Sequence, residues 1–219
     1  MQCFITGTDT GVGKTYVSCL ILKALRLMKG EAIGYKPVVC GERDDAIALC
    51  AASGLEATEI DLVNPIWLKS PLAPLAAGLI ENIPIDPASL LMSFRTVSQA
   101  CENVIVEGVG GWKVPITSSY TTADLAVDLN LPVLVVADNR LGAINHCLLT
   151  VESVRASGLP VLGVILNHVG DERDLASISN RQILEGHLPC PVLGEVAHGD
   201  TAVVPEDWAW AEGTRPEGI

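Results

Sequence analysis

The chain has few aromatic residues and few cations. Only 4% of its 219 residues are Phe, Trp or Tyr although 49% are hydrophobic, so the core must consist mainly of Val, Leu, Ile and Ala. The 14 Lys and Arg residues are outnumbered by 26 Asp and Glu residues, which gives a formal net charge of −12. General nucleic-acid binding needs a basic face, so this charge argues against a nucleic-acid partner. A nucleotide could still bind, because backbone amides and a few lysines create a phosphate site locally.

The sequence also lacks the usual signals of secreted and membrane proteins. Its seven cysteines include no Cys-x-x-Cys pair, and their odd number fits reduced thiols better than a disulfide framework. No uninterrupted apolar segment approaches the length that spans a bilayer. The chain starts directly on a predicted strand, without the basic and apolar regions of a signal peptide. These absences predict a cytoplasmic protein with no membrane partner, and the length predicts one domain over residues 1–219.

A glycine-rich stretch lies almost at the N-terminus. Residues 7–15 read Gly-Thr-Asp-Thr-Gly-Val-Gly-Lys-Thr, between a short apolar run and a helical pattern. Strand, glycine-rich turn and helix in this order are typical of a phosphate-binding loop, or P-loop. Gly11 and Gly13 would let the backbone wrap closely around a phosphate. Lys14 would reach the outer phosphates and Thr15 would ligate magnesium. Five residues separate the first glycine from the Gly-Lys pair, one more than in the standard pattern.

Apolar runs alternate with helical patterns along most of the chain. Residues 103–107, 131–137 and 160–166 are nearly continuous apolar runs, as expected of strands that are covered on both faces. Shorter strands are predicted at residues 32–35 and 192–195. The alternation predicts an α/β fold with a mostly parallel sheet flanked by helices on both faces, like a P-loop NTPase. The helices are predicted at residues 14–30, 44–52, 87–100, 123–130, 143–156 and 175–186.

Two segments have no clear pattern. Residues 55–75 contain Pro65, Pro71 and Pro74, which favour irregular structure or an edge segment. The tail from about residue 200 shows no helical or strand period, so we leave it unassigned.

In parallel sheets, ligands bind beyond the carboxyl ends of the strands. Two charged residues lie at such strand ends, and a third lies at the start of a predicted helix. Lys36 follows the second strand and could face the same phosphates as Lys14, although an isolated lysine is more often solvated. Glu107 ends an apolar strand, where a carboxylate is costly unless it meets a cation such as magnesium. The alternative for Glu107 is a surface position in a flexible turn. Asp45 is either a second magnesium carboxylate or a helix N-terminal acid.

Two further strand ends carry polar groups. Residues 138–146 lie between a strand and a helix, and their amides could hold a substrate carboxylate. Asn167 and His168 follow the next strand and could offer amide hydrogen bonds to a base, although Asn also commonly forms turns.

Together these motifs resemble one family, the dethiobiotin synthetases, which are ATP-dependent ligases of biotin synthesis. The resemblance runs in order from residue 2 to about residue 196 and includes the five-residue spacing in the P-loop. The matching stretches are Thr6–Thr15, Gly34–Val38, Asp45–Ala46, Val106–Trp112, Leu131–Val135, Leu141–His146 and Gly194–Glu195.

The resemblance implies a magnesium-dependent homodimer that joins CO2 to 7,8-diaminopelargonic acid at the expense of ATP. One amine forms a carbamate, which attacks the γ-phosphate to give a carbamic–phosphoric anhydride. The second amine then closes the ureido ring and expels phosphate. This chemistry requires cations and amides around two anions more than a strong base.

Residue roles follow from the resemblance by matching positions. It implies that Lys36 and Lys14 are catalytic, and that Thr15, Asp45 and Glu107 hold magnesium. The substrate-binding turn would come from the partner subunit. The nucleotide-binding residues would be Gly11, Val12, Gly13, Lys14, Thr15, Tyr16, Asp45, Glu107, Gly108, Val109, Gly110, Asn167 and His168. The substrate-binding residues would be Thr10, Cys40, Gly110, Leu141, Gly142 and Asn145.

The chain departs from the family pattern at a few positions. Cys40 stands where a serine is common, Leu75 where a histidine often follows proline, and Ala197 where a proline is common. Gly11 replaces a glutamate that some members have in the loop.

The main alternative is a nucleotide-switched partitioning or regulatory ATPase with the same core. Such proteins typically carry an additional lysine inside the loop, where this chain has Asp9. A G-protein is disfavoured because residues 167–171 lack the Asn-Lys-x-Asp spacing, and a dinucleotide oxidoreductase because the third glycine is missing.

Overall fold

Residues 1–171 and 173–202, which the computed structural model of the protein describes, contain a central parallel sheet of six strands. Residues 203–219, which hold most of the unassigned tail, lie outside the described residues. The strands in chain order are β1 (Gln2–Gly7), β2 (Ile33–Tyr35), β3 (Val38–Cys40), β4 (Ile66–Leu68), β5 (Val104–Gly111), β6 (Pro115–Thr117), β7 (Tyr120–Thr121), β8 (Val133–Asp138), β9 (Val161–Asn167) and β10 (Val192–Val196).

The order of strands across the sheet is β10-β9-β8-β1-β5-β2. Strand β1 is therefore interior, between β8 and β5, and all pairs in this sheet are parallel. Two small pairs lie apart from it, β3 with β4 in parallel and β6 with β7 antiparallel. Since the strands are parallel, the loops after β1, β2, β5, β8, β9 and β10 meet along one edge of the sheet.

Helices cover both faces of this sheet. They are α1 (Lys14–Lys29), α2 (Asp44–Ser53), α3 (Ile60–Val63), α4 (Pro74–Glu81), α5 (Pro87–Ala100), α6 (Thr122–Leu129), α7 (Ala143–Ala156) and α8 (Leu175–His187). Helices α1 and α2 share one hydrophobic core, and α5, α6, α7 and α8 share the other. None of the helices within the described ranges combines the length and the apolar character that a bilayer span requires.

The apolar runs of the strands follow from this layering. Phe4 packs into one core whereas its neighbours Cys3 and Ile5 pack into the other, because successive side chains of a strand point to opposite faces. Both faces are covered, so both sets must be apolar. The predicted α/β fold with helices on both faces is thus confirmed.

Most predicted helices and strands are confirmed within a few residues, and local capping explains several ends. Helix α7 has the predicted bounds. Helix α5 begins after Asp86, whose side chain accepts a hydrogen bond from the Ala88 amide at 3.0 Å. Helices α1 and α2 end before Gly30 and Gly54, and both glycines have positive φ angles.

Two segments are more regular than one of the alternatives that the sequence left open. Residues 55–75 were expected to be irregular or an edge segment, and the irregular alternative is wrong, since they form a 3-10 turn at Ala57–Glu59, helix α3, strand β4 and the start of α4. The central strand does not end at Glu107 in a flexible turn, because β5 continues through the glycines to Gly111. Gly111 pairs with Gly7 across a register shift.

Candidate active site

The P-loop connects β1 to α1 at the interior of the sheet edge. Gly11 and Gly13 have φ angles of 76° and 85°, a left-handed conformation that favours glycine. Helix α1 begins at Lys14, and its Nζ donates a hydrogen bond to the Asp9 carbonyl at 3.0 Å. The loop therefore presents a helix N-terminus and a lysine to one point, which is the geometry of an anion site.

Beside this loop, four side chains from different parts of the chain meet around one ammonium group. Lys36 Nζ lies 2.5 Å from Glu107 Oε1 and 3.0 Å from Asp45 Oδ2. The Thr15 hydroxyl donates to the same Glu107 oxygen at 2.8 Å. Lys36 and Glu107 are buried, whereas the side chain of Asp45 is 47% exposed. The sequence-predicted candidates on α1, α2, β5 and the loop after β2 are thus brought together.

The charges of this cluster stabilise one another. Burial alone would lower the pKa of Lys36, but the carboxylates of Glu107 and Asp45 outweigh it and raise the pKa above its ordinary value. Burial alone would raise the pKa of Asp45, but the positive charge of Lys36 brings it below the ordinary value. Burial, together with repulsion from Lys36, lowers the pKa of Lys14 to about 8. Lys36 is therefore held as an ammonium group close to a second, less basic lysine.

The oxygen atoms of the cluster fit a magnesium ion. Thr15, Asp45 and Glu107 supply a hydroxyl and two carboxylates, which are hard donors of the kind that Mg²⁺ prefers. Glu107 Oε2 is buried and has no hydrogen-bond partner among the described residues, so one oxygen is left for a further cation or donor. The described part of the chain has no cluster of three or more His, Cys, Asp or Glu residues at metal-binding geometry. Such a sparse donor set suits an ion whose remaining ligands are phosphate oxygens and water.

A cavity of about 580 Å³ opens next to the cluster. Thr10, Cys40 and Gly110, three of the predicted substrate residues, line it together with Lys14 and Lys36. The segment from Pro71 to Pro74 forms another part of its wall. A larger cavity of about 1250 Å³ runs along α1 and α2, but no predicted site residue lines it, so we assign the active site to the smaller one.

The predicted base-binding residues lie on the other side of the P-loop. Asn167 Nδ2 donates to the Val12 carbonyl at 3.0 Å, and its buried Oδ1 has no hydrogen-bond partner. His168 Nε2 lies 3.0 Å from Glu195 Oε2 on β10. The hydroxyl of Tyr16 donates to the Asp200 carbonyl, which ties α1 to the loop after β10.

Sequence reasoning missed two members of this polar group. Glu195 appeared only as part of a matching stretch, and Asn139 had no assigned role. The amide of Asn139 lies 3.3 Å from both Glu195 Oε2 and His168 Nε2. A polar residue directly after a strand, as Asn139 follows β8, was the available signal.

The predicted turn after β8 does not join the cavity within one chain. Leu141, Gly142 and Asn145 are exposed and do not line it. Gly142 caps α7 with a φ angle of 95°, and the Leu141 amide donates to Asp174 Oδ2 at 2.7 Å. This turn is therefore an ordered surface feature of the single chain.

Comparison with known proteins identifies the family. The family model described as AAA domain matches residues 1–203. The ATP-dependent dethiobiotin synthetase BioD of Akkermansia muciniphila is 47% identical over 195 residues, which cover 89% of this chain and 91% of the relative. The chain belongs to the dethiobiotin synthetase family. The protein of the same name from Aromatoleum aromaticum is 42% identical, with 89% of each chain covered.

A solved structure outside the dethiobiotin synthetase family shares the fold. Chloroplast FtsY from Physcomitrella patens superposes with a TM-score of 0.54 at 16% identity, covering 96% of this chain. Our chain spans 64% of the length of that structure. At this level of identity the likeness concerns the fold alone.

Two of the departures from the dethiobiotin synthetase pattern, Cys40 and Ala197, lie in different parts of the molecule. Cys40 lines the cavity, where burial raises the pKa of its thiol to about 11, so the group is a neutral and weak hydrogen-bond donor. Ala197 follows β10, where its amide donates to Asp200 Oδ2 at 2.7 Å. The first departure therefore concerns the cavity wall and the second concerns the loop after β10.

Proposed function

We propose that this protein is an ATP- and magnesium-dependent dethiobiotin synthetase. It would convert 7,8-diaminopelargonic acid, CO2 and ATP to dethiobiotin, ADP and phosphate. Family membership supports the overall reaction. The observation that carries the proposal at the level of residues is the buried Lys36 ammonium, held by Glu107 and Asp45 beside the P-loop.

The phosphate side of the reaction belongs to the P-loop. Its backbone amides, the start of α1 and Lys14 would hold the β- and γ-phosphates. Magnesium bound by Thr15, Asp45 and Glu107 would supply further positive charge to the phosphate oxygens. Lys36 Nζ lies between the same two carboxylates, so Lys36 and the ion would share one set of anions.

The carbamate side of the reaction belongs to Lys36 and the cavity. A carbamate oxygen attacks the γ-phosphorus, ADP leaves, and the anhydride forms between two anions that repel each other. The Lys36 ammonium would offset this repulsion in the transition state, where electrostatic stabilisation is most effective. Thr10, Cys40 and Gly110 would form the wall along the diamine, and a cavity of about 580 Å³ is within the usual range for small ligands. The second amine then attacks the carbonyl carbon, and phosphate leaves.

The other nucleotide contacts would come from residues around the P-loop and the ends of β5 and β9. Gly108, Val109 and Gly110 bring β5 backbone close to the loop, and Val12 and Tyr16 belong to the loop and to α1. Asn167 and His168 would contact the base. The unpartnered Asn167 Oδ1 is suited to accept a hydrogen bond from an amino group such as that of adenine.

We further propose a homodimer in which the turn at Leu141, Gly142 and Asn145 serves the partner's cavity. The turn is ordered and exposed, and the backbone amides at the start of α7 are suited to a substrate carboxylate. In a two-fold symmetric dimer, the turn of one subunit could reach the cavity of the other. This would give a role to the three turn residues, which lie away from the cavity of their own chain.

Phosphate release with and without the diamine tests the proposed reaction. We expect release that requires diaminopelargonate and bicarbonate together with ATP and magnesium. Lys36→Gln should bind nucleotide normally but lose turnover by about 10²-fold or more, since it removes a charge that acts in the transition state. Lys23→Gln, which neutralises an exposed lysine on α1, should leave turnover unchanged and is the matched control.

The partitioning ATPase makes the opposite prediction. It would hydrolyse nucleotide regardless of the diamine and bicarbonate, and Lys36→Gln would affect both conditions equally. Hydrolysis of that kind would overturn the ligase proposal. Asp9, which stands where those proteins typically have a lysine, is exposed, and its side chain accepts a hydrogen bond from the Thr10 amide at 2.7 Å.

A further inference from the structure

Asn64 is a buried polar residue at the end of α3 that does not line the active-site cavity. Its Nδ2 donates to the Lys36 carbonyl at 2.8 Å and to the Ile66 carbonyl at 2.9 Å. Its Oδ1 accepts from Arg43 Nε at 2.9 Å. Both hydrogens of the amide and its oxygen are thus used, as a fully buried side chain requires.

The bond from Asn64 is one of two that fix the main chain of Lys36. The Lys36 amide donates to the Val63 carbonyl at 2.8 Å, so both backbone groups of Lys36 bond to residues 63 and 64. Lys36 lies between β2 and β3, outside both strands, and is followed by Pro37, which has no N–H. The position of the Lys36 backbone therefore depends on this neighbouring segment.

The same asparagine also reaches the start of α2, where Asp45 is located. Arg43, at the N-cap position of α2, donates through Nη2 to the Asn64 carbonyl at 2.7 Å. The Arg43 guanidinium lies 5.3 Å from the centre of the Trp67 ring and pairs with the exposed Asp61. Asn64 consequently joins the backbone of Lys36 to the turn that carries the carboxylate of Asp45, 3.0 Å from Lys36 Nζ.

We infer that Asn64 is a positioning residue that holds the main chain of Lys36, and through it the Lys36 ammonium group, at its working position. The inference rests on the proposed function, in which the Lys36 ammonium meets the carbamate and the γ-phosphate. Lys36 acts by charge at a defined point, and a displacement of about 1 Å can cost on the order of 10²-fold in rate. Arg43 supports Asn64 from the other side, and neither residue needs to contact a substrate.

A double-mutant cycle with Lys36 tests this role. Asn64→Ser removes the two donated hydrogen bonds, and we expect kcat to fall by about 10-fold to 100-fold. Nucleotide affinity should be unchanged because the P-loop is not bonded to Asn64. In the Lys36→Gln background, Asn64→Ser should cause no further loss of turnover, since the group that it positions is already gone.

Asn103→Ser is the matched control. Asn103 is also buried, and its side chain donates to the Glu31 carbonyl at 2.9 Å and accepts from the N-terminal amino group at 2.7 Å. It lies next to the opposite end of β5, so its substitution should lower stability without changing kcat. Equal fold-losses from Asn64→Ser in the wild-type and Lys36→Gln backgrounds would overturn the inference.

Arg43→Lys provides a second route if Asn64→Ser does not fold. It keeps the positive charge near Asp61 but cannot reproduce the two donors that Arg43 directs to Asn64, so a smaller Lys36-dependent loss of kcat is expected. Additive behaviour of Arg43→Lys with Lys36→Gln would also contradict the inference. A different result would contradict the proposed function itself, namely phosphate release by the wild-type protein that does not depend on the diamine.

Discussion

Glu107 is a fully buried carboxylate whose two oxygens have different surroundings. Oε1 accepts from Lys36 and Thr15, whereas Oε2 has no partner. Removing one partner of a buried ion pair typically costs about 3–5 kcal/mol, because the remaining charge stays buried. This is the reason to test Lys36 by substitution with glutamine, which can still donate to Glu107.

Gly13 is the residue at which the P-loop contacts the side chain of Asn167. A Cβ at this position would lie 2.1 Å from Asn167 Nδ2, and the φ angle of 85° is left-handed. We expect Gly13→Ala to displace Asn167 and to weaken nucleotide binding strongly, in addition to losing about 1–2 kcal/mol of stability through backbone strain. Titration with a fluorescent ATP analogue and urea unfolding measure the two effects.

Gly158→Ala is the control that separates the effect of backbone strain from the effect of the steric clash with Asn167. Gly158 has a φ angle of 84°, but a Cβ there would meet nothing within 4 Å. It should lose similar stability and keep normal nucleotide affinity. Normal affinity in Gly13→Ala would remove Asn167 from the nucleotide site.

At the scale of elements, Asp174 connects the loop before α8 to the turn before α7 by a hydrogen bond. This residue caps α8 by accepting from the Ser177 amide at 2.7 Å, and its second oxygen accepts from Leu141. These backbone hydrogen bonds, first that of Leu141 and then that of Ser177, hold the pKa of Asp174 below its ordinary value of 3.8. The interaction therefore stabilises the fold above that value and is lost as the pH falls through the lower, folded-state pKa.

Asp174→Asn should lower the free energy of unfolding near neutral pH because it replaces a charged acceptor by a neutral one. The difference from the wild-type protein should shrink at an acid pH below 3.8, as the pH falls through the lowered pKa of the folded state and the aspartate becomes protonated. Urea unfolding at the two pH values measures this. Asp171→Asn removes an equal charge from an exposed position nearby and is the control. A difference that is constant with pH would show that the charge of Asp174 is not involved.

At the scale of the whole molecule, the order of strands determines where each part of the substrates would lie. Strand β1 and the P-loop are interior. On one side lie β5, which contains Glu107, and β2, which is followed by Lys36. Strands β8, β9 and β10, with Asn139, Asn167 and Glu195, are on the other side. The phosphates would therefore lie between the reacting amines and the base.

Mixing two inactive variants tests the proposed dimer. Lys36→Gln and Asn145→Ala should each have low turnover, the second because it alters the turn offered to the partner. In an equimolar mixture, half of the dimers contain one subunit of each variant. If a site uses Lys36 of one subunit and Asn145 of the other, each of these mixed dimers has one intact site. A mixture that exchanges subunits should then recover on the order of a quarter of the wild-type rate.

The control for mixing is the pair Lys36→Gln and Glu107→Gln. These residues contact each other within one chain, so no mixed dimer contains an intact site. Activity in the first mixture no higher than the mean of its components would argue against a shared site.

The sequence by itself determined the local structure and the identity of the reactive residues. Gly11, Gly13, Lys14 and Thr15 were predictable because a phosphate loop depends on residue type and spacing over a few positions. The strands and helices followed from periodicity, which is also local.

Only the tertiary structure decided how these residues are paired. Lys36 and Glu107 are 71 residues apart, and Asn64 and Lys36 are 28 apart, so no local pattern links them. The pairing of Gly111 with Gly7 and the hydrogen bond from the Leu141 amide to Asp174 are likewise contacts between distant parts of the chain. These contacts depend on how the layers pack, since distant residues meet only when helices and strands bury their apolar faces together.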